Sequence, residues 1–199
     1  MTQVSMQDLV AGVRSGCLVS FLTDTVPALA VRPDRAELVF AAKQRHQNKP
    51  LILMAATSID LWPFVTGNSD EWQTWQQVAS SYWPGALTLV LPASVRVPRA
   101  MNQADPTTIG LRVPKCAIAH NILSQTGPLA TTSANFSGQV PLQTMAEIAA
   151  QFPNVLILPT ELAAVKPGLG VASTVAKWTG SGWEILRQGA VKLESDGEF

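Results

Sequence analysis

Residues 127–141 read GPLATTSANFSGQVP, an apolar strand that fills with small polar side chains: Thr131, Thr132, Ser133, Asn135 and Ser137. Hydroxyls and an amide gathered just past a buried strand either close a turn or line a site that hydrogen-bonds a ligand. Cations stand in a second stretch, FAAKQRHQNKP, where Lys43, Arg45 and Lys49 collect at the end of a helical pattern. A basic helix end offsets the macrodipole, each cation contributing about 0.3–1 kcal/mol. Pro50 and a buried strand follow at once, however, and strand and helix ends border the ligand crevice of a doubly covered sheet. The compact charge of lysine beside the fork of arginine suits a polyphosphate.

Three further stretches carry polar groups at strand ends. LTDTVPALA holds Thr23, Asp24 and Thr25, which either satisfy a local turn or face a ligand amine or hydroxyl. IGLRVP places Arg112 inside an apolar strand, where a charge is expensive unless paired. It is either an edge-strand guanidinium reaching water or a grip on a carboxylate, and its apolar flanks favour the grip. ASTVAKW and EILRQG add Ser173, Thr174 and Arg187, ordinary strand residues unless their strands face the same crevice.

Several chemistries are excluded. No GxxxxGK[ST] loop, HExxH or nucleophile elbow occurs, and GLGVAS fails GxGxxG at its third glycine. The only histidines are His46 and His120, and a triad on Ser133 would need His120 to approach from a helix. Cys17 and Cys116 lie far apart in apolar runs, which predicts buried free thiols and no metal-type spacing. What remains is a site with few general bases and many cations and hydroxyls. Such a site works by positioning and charge neutralisation, the logic of nucleotidyl and phosphoryl chemistry.

The elements that must position these residues read as α/β. The chain has 199 residues, 47% hydrophobic and only 14% charged, with zero formal net charge, so bulk charge does not point to a nucleic-acid binder. No apolar stretch spans a bilayer, and the N-terminus lacks a basic region followed by an apolar core; the expected location is the cytoplasm, with no membrane partner. SMQDLVAGVRSG reads as a helix capped by Ser5, RPDRAELVFAAKQR as a second capped by Asp34 or a neighbour, and SDEWQTWQQVASSYWPG as a third. CAIAHNILSQTG closes on Gly127, and TMAEIAAQF carries Thr144 and Glu147 in capping-box register. CLVSFLTDT, PLILMAA, ALTLVLPA, TTIGLRVP, PLATTSAN and NVLILPT read as strands, and STVAKWTGSGWEILRQG as a hairpin. Buried strands together with a hairpin predict a mixed sheet. The tryptophans, Trp72 and Trp75 on one helical face among them, read as core rather than as a base-stacking platform.

The segments KQRHQNKPLIL, YWPGALTLVL, IGLRVP, TTSANFSG, ASTV and ILRQGAV resemble, in order and spacing, those of the YrdC/Sua5 family, from about Gly16 to Ala190. The resemblance implies a twisted mixed α/β sheet with flanking helices around a deep, positively charged cavity, a domain over residues 1–191 and a short tail over 192–199. It implies L-threonylcarbamoyladenylate synthase activity: ATP, L-threonine and bicarbonate as substrates, with magnesium expected and no protein metal site. A tRNA-threonylcarbamoyl transferase complex would take the product to tRNA. By the same resemblance Lys43, Arg45, Ser133 and Asn135 form the catalytic signature, Thr108, Pro141 and Arg187 join them on the ATP side, and Thr25, Arg112 and Ser173 bind threonine. The chain departs from the family at Leu22, where a proline is usual, at Pro27, Ala28 and Leu29 in place of Tyr-Gly-Leu, and at Met54, where some members carry histidine. It is also expected to lack the C-terminal domain of longer members. The alternative is a paralogue whose cavity holds a nucleotide, or weakly binds RNA, without this chemistry.

Overall fold

The computed structural model describes residues 3–44, 46, 48–159 and 168–193. Arg45 and residues 194–199 of the expected tail lie outside them. Among the described residues, nine strands form one mixed sheet in the order β7-β1-β2-β6-β3-β5-β4-β8-β9. They are β1 (Val19–Phe21), β2 (Ala28–Val31), β3 (Ile52–Met54), β4 (Leu87–Pro92), β5 (Thr108–Arg112), β6 (Leu129–Ser133), β7 (Leu156–Ile157), β8 (Thr174–Trp178) and β9 (Trp183–Arg187). The pairs β1/β7, β3/β5 and β4/β8 are parallel and the others antiparallel.

The helices are α1 (Met6–Arg14), α2 (Glu37–Lys43), α3 (Ser69–Tyr82), α4 (Ala117–Thr126) and α5 (Met145–Gln151). Ser5 caps α1 by accepting from the Asp8 N–H, and Gly16 takes φ +87° just beyond its end. Asn68 with Glu71, and Thr144 with Glu147, form reciprocal capping boxes on α3 and α5.

Period-two alternation sorts the sheet residues between two faces. Leu87, Leu89 and Leu91 of β4 and Ile109 and Leu111 of β5 pack with Val39 and Phe40 of α2, Trp75 and Val78 of α3 and Ile148 of α5. On the other face, Val19, Phe21, Ala30 and Leu129 pack with Leu9 and Val13 of α1 and Ile122 and Leu123 of α4. Helices α1 and α4 cover only part of that face. The rest, over β6, β3, β5, β4 and β8, is the wall of a cavity of about 570 Å³.

Several expectations change. Asp34 caps nothing: Pro33 begins a separate 3-10 turn, Arg32 holds the Asp34 carboxylate at 2.7 Å, and α2 starts after Ala36 without a side-chain cap. The run CLVSFLTDT is strand only over Val19–Phe21; the chain turns at Thr23–Val26 and returns as β2, a strand hidden in the PAL segment. NVLILPT is strand only at Leu156–Ile157, and Thr160 lies outside the described residues. Cys17 is exposed in the loop after Gly16 and Cys116 is half-buried at the start of α4; both are free thiols, but neither is a core residue. The tryptophans form one connected aromatic chain: Trp83–Trp62–Trp72–Trp75–Trp178–Trp183, with ring centroids 5.3–6.3 Å apart. It belongs to the α3 face of the sheet, away from the cavity.

Candidate active site

The cavity floor is one face of β5. Thr108, Gly110 and Arg112 all line it, because alternate residues of a strand share a face. Four steps of about 3.3 Å put some 13 Å between Thr108 and Arg112. Thr88 and Val90 of β4, Ile52 and Met54 of β3, and Thr131 and Ser133 of β6 line the same cavity. Its charged lining residues are Lys49, Arg112, Lys177 and Arg187 against one carboxylate, Asp105.

At one end the Arg112 guanidinium is only 3% exposed. Nε donates to the Gly85 carbonyl at 3.1 Å, one terminal nitrogen to Thr25 Oγ1 at 2.8 Å, and the other to Asp24 Oδ1 at 2.7 Å. Burial pushes this guanidinium below its ordinary value, and the Asp24 carboxylate beside it works in the opposite direction. Strand β5 is interior and Arg112 is nearly buried, so the edge-strand reading is set aside. The turn reading of the LTDT stretch holds for Thr23, and its other polar groups meet a guanidinium of the same chain. Thr23 closes the turn, donating to the Val26 carbonyl at 2.7 Å, while Asp24 and Thr25 turn to Arg112. Met54 stands beside Arg112 in the β3/β5 register, and Pro27 and Ala28 complete an apolar wall.

The polar run after β6 meets the end of α2. The Lys43 side chain is fully buried, and its ammonium donates to the Ser133 carbonyl and to Asn135 Oδ1. Ser133 Oγ donates to the same Asn135 oxygen at 2.6 Å. The Asn135 amide donates to the carbonyls of Phe136 and Gln139 at 2.8 and 2.7 Å. Ser133 and Asn135 line the cavity, but Lys43 is not on its wall. Its charge therefore reaches the cavity through the two groups it holds. Lys49 does line the cavity, and its ammonium donates to Ser137 Oγ at 3.2 Å.

Ser173 and Arg187 reach the opposite flank. Arg187 donates to the Ser173 carbonyl through Nε at 3.1 Å and a terminal nitrogen at 2.8 Å, and burial lowers its pKa. Ser173 Oγ lies 2.8 Å from Thr88 Oγ1. Pro141 lines the rim. At the far end of β5, Thr108 Oγ1 accepts from the Asn102 amide at 3.1 Å and lies 3.2 Å from Asp105 Oδ2. Lys177 approaches the same Asp105 oxygen at 3.9 Å. The Thr107 hydroxyl, with Thr108 and Lys177 adding to it, holds the Asp105 carboxyl below the usual carboxylate range.

Of the ten residues to which the family resemblance gives a role, nine fall on or against one cavity, and the tenth, Arg45, lies outside the described residues. Thr88, Asn102, Asp105 and Lys177 were not singled out. The alternation of Thr88 with leucines, of Lys177 with Val175, and the turn-forming Asp-Pro in DPTT were the available signals. Among the described residues no three or more His, Cys, Asp or Glu side chains stand together as a metal site. No helix among them is long and apolar enough to cross a membrane.

Residues 12–189 match the Sua5/YciO/YrdC family model, described as telomere recombination. Among similar proteins is the threonylcarbamoyl-AMP synthase of Yersinia enterocolitica, 32% identical over 158 residues, covering 77% of this chain and 82% of that one. The threonylcarbamoyl-AMP synthase of Vibrio cholerae is 33% identical over 162 residues, covering 79% and 85%. Among solved structures, P. abyssi Sua5 complexed with L-threonine aligns with a TM-score of 0.81 at 29% identity, covering 92% of this chain and 54% of that chain. This chain thus spans about half of P. abyssi Sua5. E. coli YciO aligns with a TM-score of 0.77 at 22% identity, covering 94% and 90%, a likeness of fold.

Proposed function

The chain belongs to the Sua5/YciO/YrdC family, and from that premise we propose that it is an L-threonylcarbamoyladenylate synthase acting on ATP, L-threonine and bicarbonate. The observation that carries the reading is one cavity floor with a buried guanidinium at one end and the braced Ser133–Asn135 loop on its flank. Arg112, Thr25 and Ser173 take the amino acid. Three of the five Arg112 N–H donors are engaged, and two remain for a carboxylate. The threonine amine and bicarbonate condense to a carbamate with loss of water. A carbamate oxygen attacks the α-phosphorus of ATP, the bond to the β-phosphate oxygen breaks, and pyrophosphate leaves.

Charge that grows on the leaving group is met by fixed donors already in place. Arg187 and Lys49 bring cations to the cavity wall; the Ser133 hydroxyl and the Asn135 amide spend their donors within the loop and turn to phosphate by exchanging those bonds, with Lys43 holding both residues. Thr108 and Pro141 bound the nucleotide, and Arg45 belongs to the same cationic set by its place in the KQR motif. Asp105, the one lining carboxylate among the described residues, accepts from Thr107 and Thr108. Magnesium would arrive with ATP and offset phosphate charge, with Asp105 the described lining residue able to hold it. A transferase complex downstream would consume the adenylate.

The test is threonine-dependent pyrophosphate release by folded protein supplied with ATP, bicarbonate and magnesium. No release would overturn the reading. A second reading, a nucleotide- or RNA-binding paralogue without this chemistry, is favoured by one observation: Pro27, Ala28 and Met54, three departures from the family pattern, all line the Arg112 end. RNA binding that collapses with added salt would support it, whereas stabilisation specific to threonine supports the synthase.

A further inference from the structure

We propose that Asp24 makes the Arg112 end of the cavity select a carboxylate that carries its own ammonium group, an α-amino acid, over carboxylates without one. The inference rests on the reading above, that Arg112 receives the substrate carboxylate.

Asp24 and Arg112 form a close, nearly buried ion pair, 2.7 Å long, with side chains 14% and 3% exposed. Asp24 is not part of the cavity lining, while Arg112 is. The carboxylate therefore stands behind the guanidinium, and a ligand anion would stand in front of it. Two N–H···O contacts on one guanidinium bring the two carboxylates within roughly 5–6 Å of each other. In a site screened little by water, like charges at that separation repel appreciably. The charge of Arg112 is already offset by Asp24, so a bound carboxylate adds a negative charge that this pair does not compensate.

An ammonium on the neighbouring carbon supplies the missing cation. A zwitterion enters with no net charge, and a hydroxy acid or simple carboxylate enters as an anion. Among the described residues that line the Arg112 end, none offers the ammonium a counter-charge. Val26, Pro27, Ala28 and Met54 are apolar, and Asp105, the only lining carboxylate among the described residues, sits at the opposite end of β5. Arg187 also faces Arg112, from β9, close enough to disfavour its charge. Its contribution to each ligand is the same in the wild type and in the variant compared below, so it cancels when the two proteins are compared. Asp24 thus acts as a specificity-determining residue through Arg112.

The experiment is calorimetric titration of the wild-type protein and Asp24→Asn with L-threonine and with 2,3-dihydroxybutanoate, in which a hydroxyl replaces the amine. Asparagine is isosteric and keeps an oxygen for Arg112 but removes the charge. The wild type should prefer threonine by about tenfold or more in Kd. In Asp24→Asn that ratio should shrink by about tenfold, the analogue tightening while threonine changes little, with ATP affinity unchanged. A merely structural Asp24 would weaken both ligands alike, and an unchanged ratio overturns the inference while leaving the functional reading intact. Should that variant not fold, Asp24→Ser makes the same comparison with a smaller uncharged side chain: a ratio unchanged from the wild type overturns the inference, and a tenfold smaller one supports it. No threonine binding by the wild type would overturn the functional reading and the inference together.

Discussion

Gly110→Ala separates the fold from the chemistry. Gly110 is the midpoint of the cavity floor, two residues from Thr108 and two from Arg112 on the same face of β5, about 6.6 Å from each. A Cβ placed there would lie 3.4 Å from Ile52 Cγ1 and 3.5 Å from Thr88 Cγ2, which is contact rather than collision. The fold should therefore accept alanine. The variant loses unfolded-state freedom and should gain up to about 1 kcal/mol, raising Tm by roughly 2–4 °C for a chain of this size. Function should move the other way, because on the proposed reading the methyl would stand between the amino acid at Arg112 and the nucleotide side at Thr108. Displacing reacting groups by about 1 Å costs on the order of 100-fold, equivalent to about 2.7 kcal/mol of transition-state stabilisation. The assay pairs thermal unfolding with kcat/KM for threonine-dependent pyrophosphate release. Gly110→Ala with wild-type turnover would refute the placement of the reaction over β5, and a large loss of stability would refute the claim that the Cβ direction is open.

Two other perturbations follow from particular contacts. Lys43→Met keeps the buried stem but strips the ammonium from the Ser133 carbonyl and Asn135; urea unfolding should register a loss of about 2–4 kcal/mol, and ATP titration a weakening of at least about tenfold, with unchanged ATP affinity refuting the bracing role. The Asn68 backbone N–H, and next the Trp178 indole, hold the Glu71 carboxyl below its ordinary value. The stability this contributes is present above the ordinary glutamate range and is lost as pH falls through the lower folded value. Tryptophan fluorescence should therefore change on acidification below that range, and Glu71→Gln should remove this step; a titration identical to the wild type would refute the assignment.

Much of the site was legible because its residues sit at strand ends, where pattern and chemistry coincide. Ser133 and Asn135 follow an apolar strand, Arg112 interrupts one, and Thr25 closes another. The capping boxes on α3 and α5 were equally local. Strand β2 was less visible, since PAL resembles the tail of β1 and becomes a strand only by pairing with β1 and β6. Asp34 looked like a cap because Asp before an apolar helical run usually is one, yet Pro33 diverts the backbone and Arg32 takes the carboxylate. Cys17 looked buried because its neighbours are, but the loop after Gly16 turns it outward.

By itself the sequence determined which groups were available: the helices and most strands, the alternation that gives β4 and β5 a leucine face, and an inventory of cations, hydroxyls and amides without a nucleophile–base pair. Those properties depend on neighbours a few residues away. Only the tertiary structure decided which groups meet. Lys43 lies 90 residues from Ser133 and turns its ammonium into the protein to hold that loop, rather than presenting it to the cavity. Asp24 lies 88 residues from Arg112 and takes one of its donors. A charge buried away from water must find its partner wherever the sheet order brings one, and that order is set by packing across the whole chain.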